Sequence, residues 1–289
     1  MLKVENLNKT YPLFRLKDLT FHLETGYILG FIGLNGAGKS TALKSILNIV
    51  KPDSGTVQMF GKNMAEHELA LKQRVGFSLG AFEYYPRNKL KQIARIYRRF
   101  YEAWDDERYE LYLKKFCLDE NKRVKELSQG MKVKFSLALA LSHNSKLLIL
   151  DEPTSGLDPL AREEILEIFQ EIVEDGEHSI LFSTHITSDL DKIADYILFI
   201  KDGSIAAYDT KEDLLASHVL ISGSAEEWNE ELENRAIGFK NNRFGFKALI
   251  LRERLKDSDP LERETPNLED IMIYYNKEAH NEGISGERV

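Results

Sequence analysis

GLNGAGKST, at residues 33–41, fits the pattern Gly-x4-Gly-Lys-Ser/Thr, whose glycine-rich turn and helix N-terminus point backbone N–H groups at anionic oxygens. The run that leads into it, YILGFIG at residues 27–33, is apolar on both faces, as a buried central strand is. After it, apolar residues recur at helical spacing until Pro52. The sequence therefore predicts a phosphate-binding loop between a strand and a helix. Its predicted binding residues are Gly33, Asn35, Gly36, Ala37, Gly38, Lys39, Ser40 and Thr41.

Composition bounds the class of protein. A formal net charge of -8 over 289 residues argues against nucleic acid or an anionic lipid surface as the main partner. The single cysteine, Cys117, excludes an intramolecular disulfide and gives no sign of a cysteine-based metal site. The start lacks the apolar segment of a signal peptide, and no apolar run approaches the roughly 18 residues that span a bilayer. We therefore expect an intracellular, soluble chain without a nucleic-acid partner.

The order of segments favours an α/β fold with a covered parallel sheet. Residues 2–23 alternate apolar and polar, as antiparallel strands with one wet face do. Apolar runs at 147–150 and 179–184 then alternate with helical patterns, which is typical of parallel strands joined by helices. Residues from about 81 to 142 are mostly helical in pattern. Beyond residue 216, short strands, a hairpin near Asn242 and a last helix predict a small α+β appendage at 217–289.

Two acidic residues follow the apolar strand KLLIL. Asp151 and Glu152 stand where ligands bind in parallel sheets, outside the carboxyl ends of the strands. Asp151 can hold Mg²⁺ together with the Ser40 hydroxyl, while Glu152 can orient or deprotonate an attacking water. A helix-capping pair before Pro153 is the alternative. A buried strand that ends in two acids, however, needs an electrostatic reason.

Two further segments offer groups to a phosphate. His185 follows the strand SILFST and is suited to contact the γ-phosphate or hold the attacking water, although a histidine after a strand is more often an ordinary loop residue. Its position at a third strand end favours the site. LSQGM, at residues 127–131, offers the Ser128 hydroxyl, the bare backbone of Gly130 and a helix N-terminus, although serine caps of helices are common.

A basic cluster lies in the helical segment. The cluster could form a nucleic-acid-binding patch or a helix face exposed to water. The second interpretation is favoured because runs of charged residues usually face water. The cluster comprises Lys89, Lys91, Arg95, Arg98 and Arg99.

Taken together, these motifs resemble the ATP-binding subunit of ABC transporters over roughly residues 1–215. GLNGAGKST resembles the Walker A motif, LSQGM the LSGGQ-type signature, and LLILDEP the Walker B motif with its glutamate. Residues 155–158, SGLD, resemble the D-loop, and His185 stands in the place of the switch histidine.

The resemblance implies a fold, ligands and residue roles. The fold is a P-loop NTPase of the ABC type, with an N-terminal antiparallel β subdomain, a parallel-sheet core, a helical subdomain and the C-terminal appendage, and it places the ATP-binding domain at residues 1–216. The implied ligands are ATP and Mg²⁺, with Ser40 and Asp151 at the metal. The implied catalytic residues are Lys39, Glu152 and His185, and Tyr11, Ser128, Gly130 and Asp158 are assigned to the nucleotide site, with Tyr11 stacking on adenine.

The resemblance also implies partners. In this family, the signature loop of one subunit covers the ATP that the Walker A loop of the other subunit holds, so Ser128 and Gly130 would act in trans. We therefore expect a homodimer, or pairing with a similar ATPase subunit. We also expect a separate integral membrane permease that keeps the chain on the inner face of the cell membrane.

Two positions depart from the family pattern. Where the family has its Q-loop glutamine, after a strand such as RVGFSLG, this sequence has Gly80, and neither Gln73 nor Gln92 is in register. Water would then complete the Mg²⁺ ligation, and coupling to the permease would be altered. Met131 stands in place of the glutamine that ends the signature.

Within the family, FYEAWDDERYELYLKKF and the ending NLEDIMIYY resemble bacterial YtrB-type subunits encoded beside GntR regulators, and also the ATPases of staphylococcal phenol-soluble modulin exporters. The resemblance implies export of amphipathic or antimicrobial-type peptides or similar toxic compounds. A soluble ABC ATPase that acts on ribosomes or DNA is the main alternative, although this chain has one ATP domain and no long coiled-coil insertion. A third hypothesis is a nucleotide-gated regulator with little turnover. Gly80 at the Q-loop position supports this hypothesis, whereas the presence of Glu152 argues against it.

Overall fold

The computed structural model describes residues 1–79, 85–256 and 261–277. It contains two compact units, Met1–Tyr208 and Asp209–Val289. Gly80, at the expected position of the Q-loop glutamine, lies outside the described residues.

Strands and helices alternate along most of the first unit. The described strands are β1 (Leu2–Tyr11), β2 (Phe14–Leu23), β3 (Ile28–Ile32), β4 (Ser54–Met59), β5 (Lys62–Asn63), β6 (Val75–Leu79), β7 (Leu147–Asp151), β8 (Ser179–Thr184), β9 (Tyr196–Lys201), β10 (Ser204–Thr210), β11 (His218–Gly223), β12 (Ala236–Asn242), β13 (Gly245–Leu251) and β14 (Glu262–Glu264). The described α-helices are α1 (Lys39–Ile46), α2 (Met64–Lys72), α3 (Leu90–Phe100), α4 (Asp106–Lys115), α5 (Gln129–Ser142), α6 (Pro159–Val173), α7 (Thr187–Ile193), α8 (Lys211–Ser217), α9 (Glu230–Arg235) and α10 (Leu268–Asn276).

An antiparallel sheet forms the N-terminal part of the first unit. Its strand order is β2-β1-β4-β5, and β1 pairs antiparallel with both β2 and β4. The alternating pattern of residues 2–23 produces this arrangement because every second side chain of a strand points to the same face. Its buried face includes Val4, Leu7 and Phe21. The expected antiparallel subdomain is confirmed.

The central sheet has the order β10-β9-β3-β8-β7-β6. β3 runs parallel to β8 and β9, and β7 runs parallel to β8 and β6, as the apolar strands predict. In the register, Ile32 pairs with Thr184 and Asp151 pairs with Ser183. The strands β3, β8 and β7 therefore end at one edge of the sheet, and the segments that follow them start side by side.

Apolar packing holds the loop-bearing strand in place. All five residues of β3 are buried, and Leu29 and Phe31 belong to one apolar cluster with Leu43 and Ile46 of α1. Burying a side chain of this size stabilises the fold by about 1.5–3 kcal/mol. The strand before GLNGAGKST and the helix after it are thus fixed against each other, and the loop between them is held at both ends.

The helical segment leads from β6 to β7. α4 packs against α5, and α5 also contacts α3, β6 and α6. Ser128 caps α5, because its Oγ accepts a hydrogen bond from Met131 N at 3.2 Å, as expected for a serine before a helix. α5 therefore connects LSQGM at its start to the strand β7 that follows its end.

The second unit is a four-stranded antiparallel sheet of order β12-β13-β11-β14 with short helices, which matches the expected α+β appendage. α8 belongs to this unit, whereas the sequence boundary at residue 216 placed it in the first domain. The reason is packing: Leu214 O of α8 accepts a hydrogen bond from His218 Nδ1, and Arg252 Nε donates to Ala216 O. Among the described residues of both units, no helix is long and apolar enough to cross a membrane.

Candidate functional site

The glycine-rich loop lies at the carboxyl end of β3, between β3 and α1. Gly36 and Gly38 have φ values of 84° and 113°, in the left-handed region that favours glycine. At Gly38 a side chain is also excluded by space, because a Cβ atom there would lie 2.6 Å from Phe14 Cζ. Two of the loop's glycines are therefore required by backbone conformation, and Gly38 also by close packing.

Lys39 points back across the loop that precedes it. Its side chain is almost fully buried, and Nζ donates to Gly33 O at 2.7 Å. Nζ also lies 3.2 Å from Glu152 Oε1. A buried ammonium is costly unless anions and acceptors surround it, so this position is suited to anionic oxygens.

Glu152 is the first residue after β7. Its φ is 50°, which is uncommon for a residue with a side chain and costs on the order of 1 kcal/mol or more. Glu152 N donates to both the carbonyl oxygen and the Oγ of Ser183, at 3.1 and 3.0 Å. This turn directs the carboxylate toward Lys39 rather than along the strand.

His185 contacts the other oxygen of the same carboxylate. Its Nδ1 lies 2.8 Å from Glu152 Oε2. Because a carboxylate only accepts hydrogen bonds, Nδ1 carries the proton in this contact. Three residues that the sequence assigns to catalysis, Lys39, Glu152 and His185, are therefore in direct contact, and each comes from a segment at a different strand end.

The first turn of α1 has free hydrogen-bond donors for an anion. Gly38 is its N-cap and supplies no side-chain acceptor, so the N–H groups of that turn have no side-chain cap. These donors, together with the buried Lys39 ammonium, fit the phosphates of a nucleotide.

The oxygen donors for a divalent cation lie next to this turn. Ser40 is in the first turn of α1, α1 packs against β7, and Asp151 ends β7. Asp151 Oδ1 accepts a hydrogen bond from Ser183 Oγ at 2.5 Å, which fixes the carboxylate. Hydroxyl and carboxylate oxygens are ligands that Mg²⁺ accepts, so the residues present fit this ion.

Tyr11 is brought near the loop by the β1–β2 hairpin. It pairs in register with Phe14, whose ring lies against Gly38. Tyr11 is 40% exposed, and Lys9 Nζ lies 5.7 Å from the centroid of its ring. An exposed aromatic ring beside the phosphate loop is available to stack on a base, and this role for Tyr11 stays a prediction.

The signature residues are not in contact with this cluster within the chain. Ser128 is exposed, and a Cβ atom at Gly130 would lie 3.4 Å from Ala161 Cβ on α6. Asp158 caps α6, since its Oδ1 accepts hydrogen bonds from Leu160 N and Ala161 N. In the described part of the chain, no hydrogen bond or ion pair joins Ser128 or Asp158 to Lys39, Glu152 or His185.

Two polar residues at the site were not predicted from the sequence. Ser183 holds both Asp151 and the backbone of Glu152, and Thr154 Oγ1 donates to Asp189 Oδ2 at 2.6 Å. Ser183 lies beside Asp151 because β7 and β8 are neighbouring parallel strands in this register. The sequence does not reveal which strands are neighbours, so this contact could not be predicted from it.

The basic cluster of the helical segment is partly paired. Arg98 NH2 lies 2.5 Å from Asp106 Oδ2, and Lys91 Nζ donates to Asn121 Oδ1 at 2.7 Å. These contacts to neighbouring side chains fit the solvated-face interpretation.

Comparison with known proteins finds similar proteins that are described as parts of ABC transporters. The pattern of the ABC transporter family matches residues 16–155. The ABC transporter ATP-binding protein YtrB of Bacillus subtilis (strain 168) is 31% identical over 206 residues, which are 71% of this chain and 70% of the relative. The bacitracin transport ATP-binding protein BcrA of Bacillus licheniformis is 31% identical, over 71% of this chain and 68% of the relative. The lantibiotic transport ATP-binding protein SrtF of Streptococcus pyogenes is 32% identical, over 84% of this chain and 100% of the relative.

A solved structure described as an ATP binding subunit of an ABC transporter aligns with a TM-score of 0.67 and 30% identity, over 75% of this chain and 92% of that chain. The ABC-type P-loop fold predicted from the motifs is thereby confirmed. The resemblance to YtrB-type subunits is confirmed as well. This chain belongs to the ATP-binding subunits of the ABC transporter family, which bind and hydrolyse ATP.

Proposed function

We propose that this chain powers an exporter, working as a dimer with a separate integral membrane permease that holds it at the inner face of the cell membrane. The observation that carries the ATPase part of the proposal is the contact of Lys39 and His185 with the two oxygens of Glu152, a group to which Ser128 makes no hydrogen bond in the described part of the chain. The proposed cargo is an amphipathic or antimicrobial-type peptide or a similar toxic compound. It is supported by relatives named for bacitracin and lantibiotic transport.

The proposed reaction uses the three contacting side chains in different roles. Lys39 exchanges its partner, Glu152, for the β and γ oxygens of ATP and neutralises their charge. Glu152 then accepts a proton from the attacking water or orients it, and His185 holds the carboxylate through its Nδ1–H. Ser40 and Asp151 would hold Mg²⁺, which would supply further charge neutralisation at the phosphates. Water adds to the γ-phosphorus, the bond to the bridging oxygen breaks, and ADP and phosphate leave.

The composite site is proposed because Gly130 lies beside Ala161 of α6, and neither Ser128 nor Gly130 makes a hydrogen bond to Lys39 in the described part of the chain. Their helix N-terminus, which favours an anion, reaches a phosphate only if the phosphate is presented by another chain. Two copies related by a twofold axis would each give a Walker A loop and receive a signature loop. Asp158 and Tyr11 keep their predicted roles at the nucleotide.

Mixing two inactive variants tests the composite site. Glu152→Gln removes the carboxylate from a chain's own Walker site, and Ser128→Arg blocks the signature that the chain gives to its partner. In a mixed dimer both lesions fall in one site and the other site is intact, so random mixing restores about a quarter of wild-type turnover. No recovery on mixing, with each homodimer inactive, would refute sharing of the site.

Affinity purification tests the permease partner. Glu152→Gln protein is recovered from its native cells in detergent with ATP present, and co-eluting proteins are identified by mass spectrometry. Recovery of a multi-spanning membrane protein would support the exporter proposal. If the same protein is absent from a parallel purification of Lys39→Ala, the association depends on ATP binding. Ribosomal or chromosomal proteins, or the homodimer alone, would instead support a soluble ATPase or a nucleotide-gated regulator.

A further inference from the structure

A buried carboxylate lies on α7, the helix that follows His185 in the chain. Asp189, in the first turn of α7, is 1% exposed, and fully buried aspartates are rare unless they are paired. Its Oδ2 accepts a hydrogen bond from Thr154 Oγ1 at 2.6 Å, and Thr154 is itself fully buried. Arg162 Nε lies 3.9 Å from Oδ1, a distance that gives an ion pair without a hydrogen bond.

Each of these three residues belongs to a segment that carries a predicted site residue. Thr154 follows Glu152 in the turn after β7, Asp189 follows His185 on α7, and Arg162 follows Asp158 on α6. One carboxylate therefore ties together the three segments. Neither Asp189 nor Thr154 makes a hydrogen bond or an ion pair with Lys39 in the described structure.

The turn that bears Glu152 needs such an anchor. With φ at 50°, Glu152 is in a region that a residue with a side chain leaves unless its surroundings hold it. Ser183 holds its N–H on one side, and Ser155 N donates to its carbonyl oxygen at 3.2 Å. The Thr154–Asp189 hydrogen bond fixes the same turn two residues after Glu152, and a charged acceptor makes it stronger than a neutral one would be.

Stability alone gives a weaker account of the same contact. Burial raises the pKa of Asp189, against the opposing effects of the Thr154 hydroxyl and Arg162, so the charge of this carboxylate is held at a cost. Apolar residues of similar volume usually serve a purely structural position as well or better. By contrast, a directional hydrogen bond such as that from Thr154 to Asp189 can hold the Glu152 carboxylate in one orientation.

We propose that Asp189 is a positioning residue for ATP hydrolysis, which acts through Thr154 to hold the Glu152 turn so that the carboxylate stays in contact with His185. Asp189 touches neither the nucleotide nor the reacting water in this role. The inference rests on the proposed part of Glu152 in handling the water, and the experiment separates the two.

The test compares steady-state ATP hydrolysis and ATP affinity in four variants. Thr154→Val removes the donor, Asp189→Asn keeps the shape with a neutral acceptor, and Thr154→Ser keeps the hydroxyl. A misplaced carboxylate lowers kcat by about tenfold in Thr154→Val and by less in Asp189→Asn, with KM and the dissociation constant for ATP within about twofold of wild type. Thr154→Ser restores kcat. Ser179→Ala, which removes a buried hydroxyl from the opposite end of β8, leaves kcat unchanged.

A second comparison distinguishes positioning from loss of folding. In the Glu152→Gln background, Thr154→Val causes no further fall in the single-turnover rate, because the group that it positions is already gone. An additive fall there, or a parallel loss of kcat, ATP affinity and melting temperature in Asp189→Asn, would overturn the inference. If Glu152→Gln is inactive but Thr154→Val and Asp189→Asn both keep the wild-type kcat, the inference is also overturned. If Glu152→Gln itself hydrolyses ATP normally, the proposed role of Glu152 fails first.

Discussion

The ammonium of Lys39 lies 3.2 Å from Oε1 of Glu152, so the two residues that act on opposite ends of the proposed reaction form an ion pair. Lys39 is the more buried partner, with its side chain 6% exposed against 25% for Glu152. A phosphate group carries more charge than a carboxylate and competes for the same ammonium. In the proposed reaction, binding of nucleotide frees the carboxylate for water, and this coupling gives the first two predictions a common origin.

Lys39→Ala is expected to weaken ATP binding by about a hundredfold, because a desolvated cation at the phosphates is worth roughly 2–3 kcal/mol. Titration with a fluorescent ATP analogue measures the change. Lys44→Ala is the matched control, since it removes the same charge from the last turn of the same helix. Equal affinities for Lys39→Ala and Lys44→Ala would remove Lys39 from the phosphate site.

Glu152→Gln is expected to keep ATP affinity and to lower turnover by about a hundredfold or more, since the amide neither accepts the water's proton nor carries its charge. Phosphate release reports turnover, and light scattering after gel filtration reports the ATP-bound dimer that accumulates. Glu167→Gln, on an exposed position of α6, is the control for the chemical change itself. Turnover near the wild-type rate would exclude Glu152 as the residue that handles the water.

The strand ends could be predicted from sequence because their residues are of contrasting kinds. Apolar runs that stop at Gly33, Asp151 and Thr184 mark three buried strands, and parallel strands of one sheet share their carboxyl edge. The neighbours of these residues could not be predicted in the same way. That Ser183 lies between Asp151 and the backbone of Glu152 depends on β8 lying between β3 and β7, which is a property of strand order.

The buried network behind the site was hidden for a related reason. Asp189 looks like an ordinary acidic residue in the first turn of a helix, where aspartate is favoured by the helix dipole. Only the packing of α7 against α6 buries it beside Thr154 and Arg162. The sequence boundary at residue 216 differs from the division of the structure after Tyr208, because the contacts of α8 with β11 and Arg252 are tertiary and cannot be seen in the sequence of α8.

Two glycines of the loop provide a matched pair for stability. Both have positive φ, so a side chain at Gly36 costs about 1 kcal/mol in backbone strain, with no atom within 4 Å of the new Cβ. At Gly38 the new Cβ also lies 2.6 Å from Phe14 Cζ, so strain and overpacking together cost about 3 kcal/mol. Urea unfolding of Gly36→Ala and Gly38→Ala measures both. An equal loss in the free energy of unfolding for both variants would show that the Phe14 ring moves away from the new Cβ without an energetic cost.

The stability of the first unit is expected to fall as the solution is acidified, because His143 is buried as a neutral ring. Its ring stacks on Tyr101 with centroids 3.7 Å apart, and its Nε2 has no hydrogen-bond partner among the described residues. Burial lowers the pKa of His143 from 6.5 to about 4, although the carbonyl oxygen of Gln73 opposes the shift. Below pH 6.5 the unfolded chain therefore binds a proton that the folded chain refuses.

This contribution to stability is complete above the unfolded pKa of 6.5 and is lost as the pH falls toward about 4. Between about pH 7.5 and about pH 5 it lowers the free energy of unfolding by about 2 kcal/mol, measured by urea unfolding at each pH. His143→Phe keeps the stack on Tyr101 and removes the titrating group, so the loss between the two pH values shrinks. If His143→Phe unfolds with the wild-type pH dependence, protonation of His143 does not contribute to the acid sensitivity of the fold.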